Sequence, residues 1–153
     1  MRLQISTRLA IFAVLELTAR EGLQLSVAEI GRKYGVSSHH LAKVMHVLGR
    51  AGLVRSVRGV GGGYQFIGNP RRTTLLDVAQ LFEDLSSVEP ANGDGPSEEQ
   101  TLSEVLGEID DVAHATLGSI TIATMRKLVE RRRVGEGRRP KPASRRPQSI
   151  AEI

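Results

Sequence analysis

The feature that most constrains this chain is a change of hydrophobic period near Gly52. Before it, apolar residues recur at helical spacing across residues 38–50, and after it the segments 53–57 and 64–67 have the composition of short strands. Between those two segments, four of the five residues from 59 to 63 are glycine. A helix followed at once by a glycine-linked hairpin predicts that the hairpin forms a wing.

The residues before this helix carry the local signals of a shorter helix and a tight turn. Ser26 and Glu29 form a capping-box pattern, in which each side chain can accept a hydrogen bond from the other residue's backbone amide. Gly35 suits the left-handed position after a helix, and Ser37 is a natural N-cap for the next one. Two helices joined in this way predict a helix-turn-helix.

Helices are also predicted on either side of this unit. The first begins near Ile5, is apolar on nearly all sides and ends at Gly22, so it is expected to be buried. Thr74 can cap a helix over residues 75–85, and Thr121 can cap a last helix that includes Leu128 and Val129.

A long helix is predicted in the second half of the chain, where Ser97 and Gln100 repeat the capping-box pattern. One apolar stripe continues for about five turns, and such a stripe on a helix outside the wing domain needs a partner. The simplest partner is the same helix of a second copy, related by a two-fold axis. The residues predicted to form this dimer contact are Leu102, Val105, Leu106, Ile109, Val112, Ala113, Leu117 and Ile120.

The predicted fold class is therefore mainly α with a small β-hairpin wing: a winged helix-turn-helix plus a long dimerisation helix. Residues 1–85 are assigned to the winged domain and residues 86–98 to a flexible loop. Residues 99–133 are assigned to the dimerisation helix and a short terminal helix, and residues 134–153 to a disordered basic tail.

Charge is strongly segregated along the chain, although the net charge is only +4. Residues 1–72 carry a balance of +8, residues 73–130 of −10 and residues 131–153 of +6. A basic block with helical patterning indicates a polyanionic partner, because neutralised phosphates release counterions. A solvated basic surface explains the charge equally well.

Composition excludes several classes of site and protein. The chain has no cysteine, which rules out disulfides, thiolate ligands and a cysteine nucleophile. Its longest apolar run, residues 9–15, is too short for a membrane span and is not followed by a signal-peptide cleavage site, so a cytoplasmic protein is expected. No catalytic constellation or metal-ligand spacing is recognisable, and the chain is predicted not to be an enzyme.

Candidate DNA contacts follow from the predicted elements. In a helix-turn-helix the start of the second helix enters the major groove, while a narrow minor groove attracts an arginine from a wing. A glycine-rich loop can bring its backbone close to such a groove. The predicted contacts are Ser37, Ser38, His39, His40, Lys43, Arg50, Arg55, Arg58, Gly59, Gly62, Gly63 and Tyr64.

With these segments placed, the sequence resembles the BadM-type winged helix-turn-helix regulators, the family of the iron-sulfur cluster regulator and the nitric-oxide-sensing repressor. The likeness lies in Met1-Arg2-Leu3, in the segments 36–44 and 51–59, in Gly62-Gly63-Tyr64, and in the later segments 76–78 and 117–121. It covers about residues 1–130. The wing is its most specific part.

The resemblance implies a dimer with crossed long helices, recognition helices in successive major grooves and wings in the minor groove. Many members hold an iron-sulfur cluster with three cysteines near the start of the long helix, and some add a ligand on the first helix. Here residues 88–101 contain no cysteine and Arg8 stands near the start of the first helix, so no cluster and no other cofactor is expected. The sequence does not distinguish whether the loop of residues 89–100 binds a small-molecule effector, a partner protein or nothing.

The sequence therefore predicts a sequence-specific regulator that binds double-stranded DNA as a homodimer. Repression by blocking polymerase is the favoured mode, although the family also contains activators. The alternative is a protein-interaction module that uses the winged scaffold and the acidic long helix as contact surfaces.

Overall fold

The computed structural model describes residues 2–85 and 95–137. In chain order the elements are α1 (Ile5–Leu17), β1 (Gln24–Leu25), α2 (Val27–Tyr34), α3 (Ser38–Arg50), β2 (Val54–Val57), β3 (Gly63–Phe66), α4 (Leu75–Ala79), α5 (Ser97–Ser119) and α6 (Ile122–Gly137). Most of the predicted loop and tail, residues 86–94 and 138–153, lies outside the described residues. None of the helices within the described ranges has the length and apolar character that crossing a membrane requires.

Local capping fixes α2 and α3 as the sequence predicts. The Ser26 hydroxyl accepts from the Glu29 amide at 3.1 Å, and the Glu29 carboxylate accepts from the Ser26 amide at 2.7 Å. Gly35 closes α2 with a φ of 65°, and the Ser37 hydroxyl accepts from the His40 amide at 3.2 Å. The predicted helix-turn-helix is therefore confirmed. It was predictable because these caps involve partners only a few residues apart.

The wing belongs to a three-stranded antiparallel sheet with the strand order β1-β3-β2. The predicted hairpin of β2 and β3 is present, with Arg55 opposite Gln65 and Val54 opposite Phe66. The edge strand β1 was not predicted. It has only two residues, which are too few to show an alternating period.

The core is aliphatic and lies between α1 and α3. Val14 and Leu17 from α1, with Leu41, Met45 and Leu48 from α3, are almost completely buried. Such close-packed burial fixes how α3 is presented, since movement of α3 would open cavities against α1.

Two predicted helix ends, those of α4 and α1, are wrong. α4 ends at Ala79 rather than near residue 85, because the chain tightens there into i to i−3 bonds from the amides of Leu81 and Phe82. α1 ends at Leu17, where the Thr18 hydroxyl bonds back to the Val14 carbonyl at 2.8 Å. Gly22, with a φ of 70°, instead lies in the turn that leads to β1.

The long helix and the last helix also differ in detail from the predictions. Ser97 is the first residue of α5 and not its cap, because Pro96 occupies the N-cap position. α6 continues to Gly137, beyond the predicted end at residue 133, and an i, i+4 pair between Arg132 and Glu136 supports its last turns. The Leu75 amide donates to the Ile120 carbonyl at 2.8 Å, which ties the end of α5 to the start of α4.

Candidate nucleic-acid interface

The N-terminal half of α3 presents polar side chains on the side opposite its buried stripe. Ser38, His39 and Lys43 are exposed, whereas Leu41 and Val44 are buried. No carboxylate among residues 2–85 and 95–137 lies within 4 Å of the Lys43 ammonium. Its charge is therefore available for an external anion.

His40 and Arg50, two other predicted contacts on α3, have different surroundings. The His40 imidazole is half-buried, and its Nε2 lies 3.4 Å from the Ser6 hydroxyl of α1. Arg50 is exposed at the last residue of α3, about 18 Å along the axis from Ser38 at the rise of an α-helix. His40 therefore helps to join α3 to α1, and Arg50 lies away from the end of α3 that carries Ser38 and Lys43.

The wing carries two arginines in contrasting states. Arg55 is held by Gln65 on the facing strand, to which it donates two hydrogen bonds. Arg58 is exposed beyond the end of β2, and no carboxylate in the described parts of the chain lies within 4 Å of it.

Val60, which was not among the predicted contacts, is fully exposed at the tip of the wing. In the sequence, Val60 stands out as a single apolar residue among glycines, and its exposure shows that it does not pack against the rest of the described chain.

The glycines and the tyrosine of the wing mainly shape its backbone. A Cβ at Gly62 would lie 2.5 Å from the Val57 carbonyl oxygen, and one at Gly63 would meet the backbone of Leu25 in β1. Tyr64 is half-buried and packs against the core. Gly59, by contrast, has a φ of 110° and open space around it. Of these four predicted contacts, Gly59 is the one with no packing role within the described chain.

A carboxylate fixes the start of α1 from a distance in sequence. The Glu83 side chain accepts hydrogen bonds from the Gln4 amide and from the buried Thr7 hydroxyl. The Thr7 hydrogen bond, helped by that of Gln4, holds the pKa of Glu83 below its usual range despite some desolvation. The chain after α4 is thereby attached to α1, the helix on which α3 packs.

The apolar stripe of α5 is largely uncovered in the single chain. Five of the eight predicted dimer residues have exposed fractions between 42% and 66%: Leu102, Val105, Leu106, Ile109 and Val112. Ala113 is half-buried, and Leu117 and Ile120 pack against the chain's own core. The last turn of α5 therefore packs against the winged domain. The first four turns carry apolar side chains that are exposed to solvent in the single chain.

These elements define the class: a helix-turn-helix with a β-hairpin wing and a long helix that leaves it. A model of the Rrf2 family, described as iron-dependent transcriptional regulators, matches residues 3–127. The chain belongs to this Rrf2 family of transcriptional regulators.

Individual relatives agree with this assignment. The chain is 46% identical over 150 residues to the helix-turn-helix-type transcriptional regulator BadM of Rhodopseudomonas palustris, covering 97% of this chain and 96% of BadM. Among solved structures it is similar to CymR, the global cysteine regulator of B. subtilis, with a TM-score of 0.73 and 26% identity over 84% of this chain and 98% of that one. T. potens IscR matches with a TM-score of 0.66 and 27% identity, over 92% and 93% of the two chains.

The family is described as iron-dependent, and the chain lacks the cysteine ligands that an iron-sulfur cluster would need. The chain has no cysteine, so the soft thiolates that retain iron-sulfur clusters are missing from its whole sequence. Among residues 2–85 and 95–137, no three histidine, aspartate or glutamate side chains come close enough to hold a metal ion. The residues of the described chain therefore do not fit such a cluster.

Proposed function

We propose that this chain is a homodimeric, sequence-specific repressor that acts on DNA in the cytoplasm without enzymatic activity or an iron-sulfur cluster. The observation that carries the proposal is the free charge of Lys43 and Arg58, on the two elements that a winged helix-turn-helix presents to a duplex. The names of BadM and CymR, both called regulators, support the same function.

In this proposal α3 lies in the major groove. Ser38 and His39 bond phosphate oxygens or base edges, and Lys43 donates to guanine O6 or N7. The buried stripe of α3 supports this role, because it holds the exposed face in a fixed orientation on α1. Arg55, fixed by Gln65, is suited to a phosphate contact, and Arg58 is suited to a narrow minor groove.

The dimer forms through the uncovered stripe of α5, which would bury aliphatic side chains against their copies. A two-fold dimer presents two α3 helices to successive major grooves, so the operator is expected to be a pseudo-palindrome. Binding at such a site represses transcription by keeping polymerase from the promoter.

The test compares three variants with the wild type in fluorescence-anisotropy titrations of the upstream region of the protein's own operon. Arg58→Ala and Lys43→Ala are each expected to weaken binding by about tenfold or more, the loss expected for a groove contact. Arg132→Ala is the control, because it removes an exposed cation from α6, outside the winged domain. Equal losses in all three variants would contradict the proposal, and so would undetectable binding by the wild type at low salt, which favours a protein-interaction module.

A further inference from the structure

A solvent-accessible pocket of about 310 Å³ lies between α1, α2 and α6, away from the proposed DNA contacts. Its apolar wall is formed by Phe12 and Leu15 from α1 with Met125 and Val129 from α6. Phe12 also stacks on Tyr34 of α2, with ring centroids 5.0 Å apart. This volume falls at the lower end of the range for small-molecule sites.

The charged residues of the pocket are nearly balanced among themselves. Glu16 accepts hydrogen bonds from the Lys33 ammonium and, at 2.6 Å, from the Tyr34 hydroxyl. Partial burial raises the pKa of Glu16, but these hydrogen bonds and the charges of Lys33 and Arg133 hold it below its usual range. Glu16 is therefore ionised at neutral pH and already satisfied by its neighbours.

The second carboxylate of the lining, Glu130, also has a cationic neighbour within the pocket. Arg126 lies 3.4 Å from Glu130 and donates to the Ala19 carbonyl at 3.0 Å, so it joins α6 to the end of α1. Arg133 is the third cation of the lining, and no carboxylate in residues 2–85 or 95–137 lies within 4 Å of it. The pocket thus combines an apolar wall with one guanidinium that forms no ion pair within 4 Å in the described chain, although its charge acts on Glu16 from farther away.

We propose that this pocket binds a small amphipathic carboxylic acid as an effector. Its flat or branched apolar body lies against Phe12, Leu15 and the α6 side chains, and its carboxylate pairs with Arg133. A guanidinium suits this role, because its planar donors match the geometry of a carboxylate. The lining carries three cations and two carboxylates, so an anionic ligand balances its charge, whereas a neutral ligand leaves one positive charge in excess and a cationic ligand adds to that excess.

The regulatory part of this inference rests on the proposed function. Two walls of the pocket, α1 and α2, both pack against α3. An occupant that shifts either helix therefore displaces the proposed recognition helix, and binding of the ligand and of DNA become coupled.

The test titrates the full chain with 2-naphthoate as the probe by isothermal titration calorimetry, with 2-naphthol as the uncharged match. Naphthoate is expected to bind with a roughly submillimolar Kd, and Arg133→Gln to weaken it by about fivefold or more. Arg132→Gln, the neighbouring arginine outside the pocket, is expected to stay within about twofold of the wild type. Val129→Trp, which fills the pocket, is expected to abolish binding of both probes, with circular dichroism showing that the variant is folded.

Absence of naphthoate binding to the wild type would overturn the proposal, as would equal losses in Arg133→Gln and Arg132→Gln. The effector role further requires saturating naphthoate to change the Kd for operator DNA in the wild type and not in Val129→Trp. An unchanged Kd would overturn that role. DNA binding is measured first without naphthoate. Loss of DNA binding in that measurement would contradict the proposed function, whereas a lack of naphthoate binding by a chain that binds DNA would contradict only the pocket proposal.

Discussion

Arg55 and Gln65 face each other across the wing, and the Arg55 guanidinium donates two hydrogen bonds to the Gln65 side-chain oxygen, from Nε at 3.0 Å and from Nη2 at 2.7 Å. A guanidinium has five N–H donors, so this pair fixes the plane of the group and leaves donors for a phosphate. Arg55 is thus oriented before DNA arrives, whereas Arg58 at the wing tip is not held by a side chain of the described chain.

The pair predicts that Arg55 and Gln65 contribute differently to DNA binding. Arg55→Ala is expected to weaken operator binding and to lower the slope of log K against log salt by about one, because one phosphate contact is lost. Gln65→Ala is expected to weaken binding less and to leave the slope unchanged, because the charge stays. Anisotropy titrations at several salt concentrations measure both quantities. An unaltered slope in Arg55→Ala would show that Arg55 does not contact phosphate.

Gly63 is predicted to be a structural requirement of the wing. An added Cβ would lie 2.5 Å from the Leu25 carbonyl carbon and 2.8 Å from the Ser26 nitrogen. Gly63→Ala is therefore expected to lower the free energy of unfolding by about 1–3 kcal/mol, the usual cost of overpacking. Gly135→Ala, in α6 with open space around it, is the control and is expected to raise stability by about 0.5–1 kcal/mol. Urea unfolding of both variants distinguishes these outcomes, and equal stability of the two would refute the prediction.

Because the apolar stripe of α5 is the proposed dimer contact, we expect a single charged residue placed in it to dissociate the dimer. Ile109 is 58% exposed at the middle of the stripe. Ile109→Asp is expected to raise the dimer dissociation constant by about a hundredfold, because a carboxylate would be buried without a partner. Ala115→Asp adds the same charge on the exposed side of α5 away from the stripe, and its dissociation constant is expected to stay near that of the wild type. Sedimentation equilibrium measures both constants, and a wild-type chain that is monomeric at all concentrations would refute the dimer.

The hydrogen bonds of the ionised Glu16 carboxylate are expected to make the free energy of unfolding depend on pH. Because its folded pKa is depressed, its contribution is present at neutral pH and is lost as the pH falls through that pKa. Glu16→Gln is expected to be less stable than the wild type by roughly 0.5–1 kcal/mol at neutral pH, and the gap is expected to shrink toward acid pH. Urea unfolding across this range measures the gap. A gap that stays constant would show that the ionised carboxylate is not the stabilising form.

The parts of the fold that could be predicted from sequence are those that rest on local contacts. The cap at Ser26, the left-handed Gly35 and the cap at Ser37 all involve partners within five residues. The stripe of α3 follows from helical period alone. The cap at Thr74 was also predictable, since the Thr74 hydroxyl accepts from the Asp77 amide at 3.1 Å.

The rest depends on contacts between distant residues that no local pattern shows. Glu83 accepts hydrogen bonds from the Thr7 hydroxyl, 76 residues earlier, and from the Gln4 amide at the start of α1. Gly63 must lack a side chain because the backbone of β1 lies against it, and β1 is too short to show an alternating hydrophobic pattern in the sequence. The pocket beside Arg133 likewise forms only when α6 packs against α1, with Lys33 and Tyr34 of α2 completing the lining, so no local pattern could predict it.

The central claim is that two copies of this chain read one duplex through paired α3 helices and wings. Hydroxyl-radical footprinting of the operator, with the stoichiometry measured on the same fragment, tests it most directly. The account predicts two chains per site and two protected half-sites whose centres lie about one helical turn, roughly 10 base pairs, apart. One chain per site, or a single protected patch without two-fold symmetry, would contradict it.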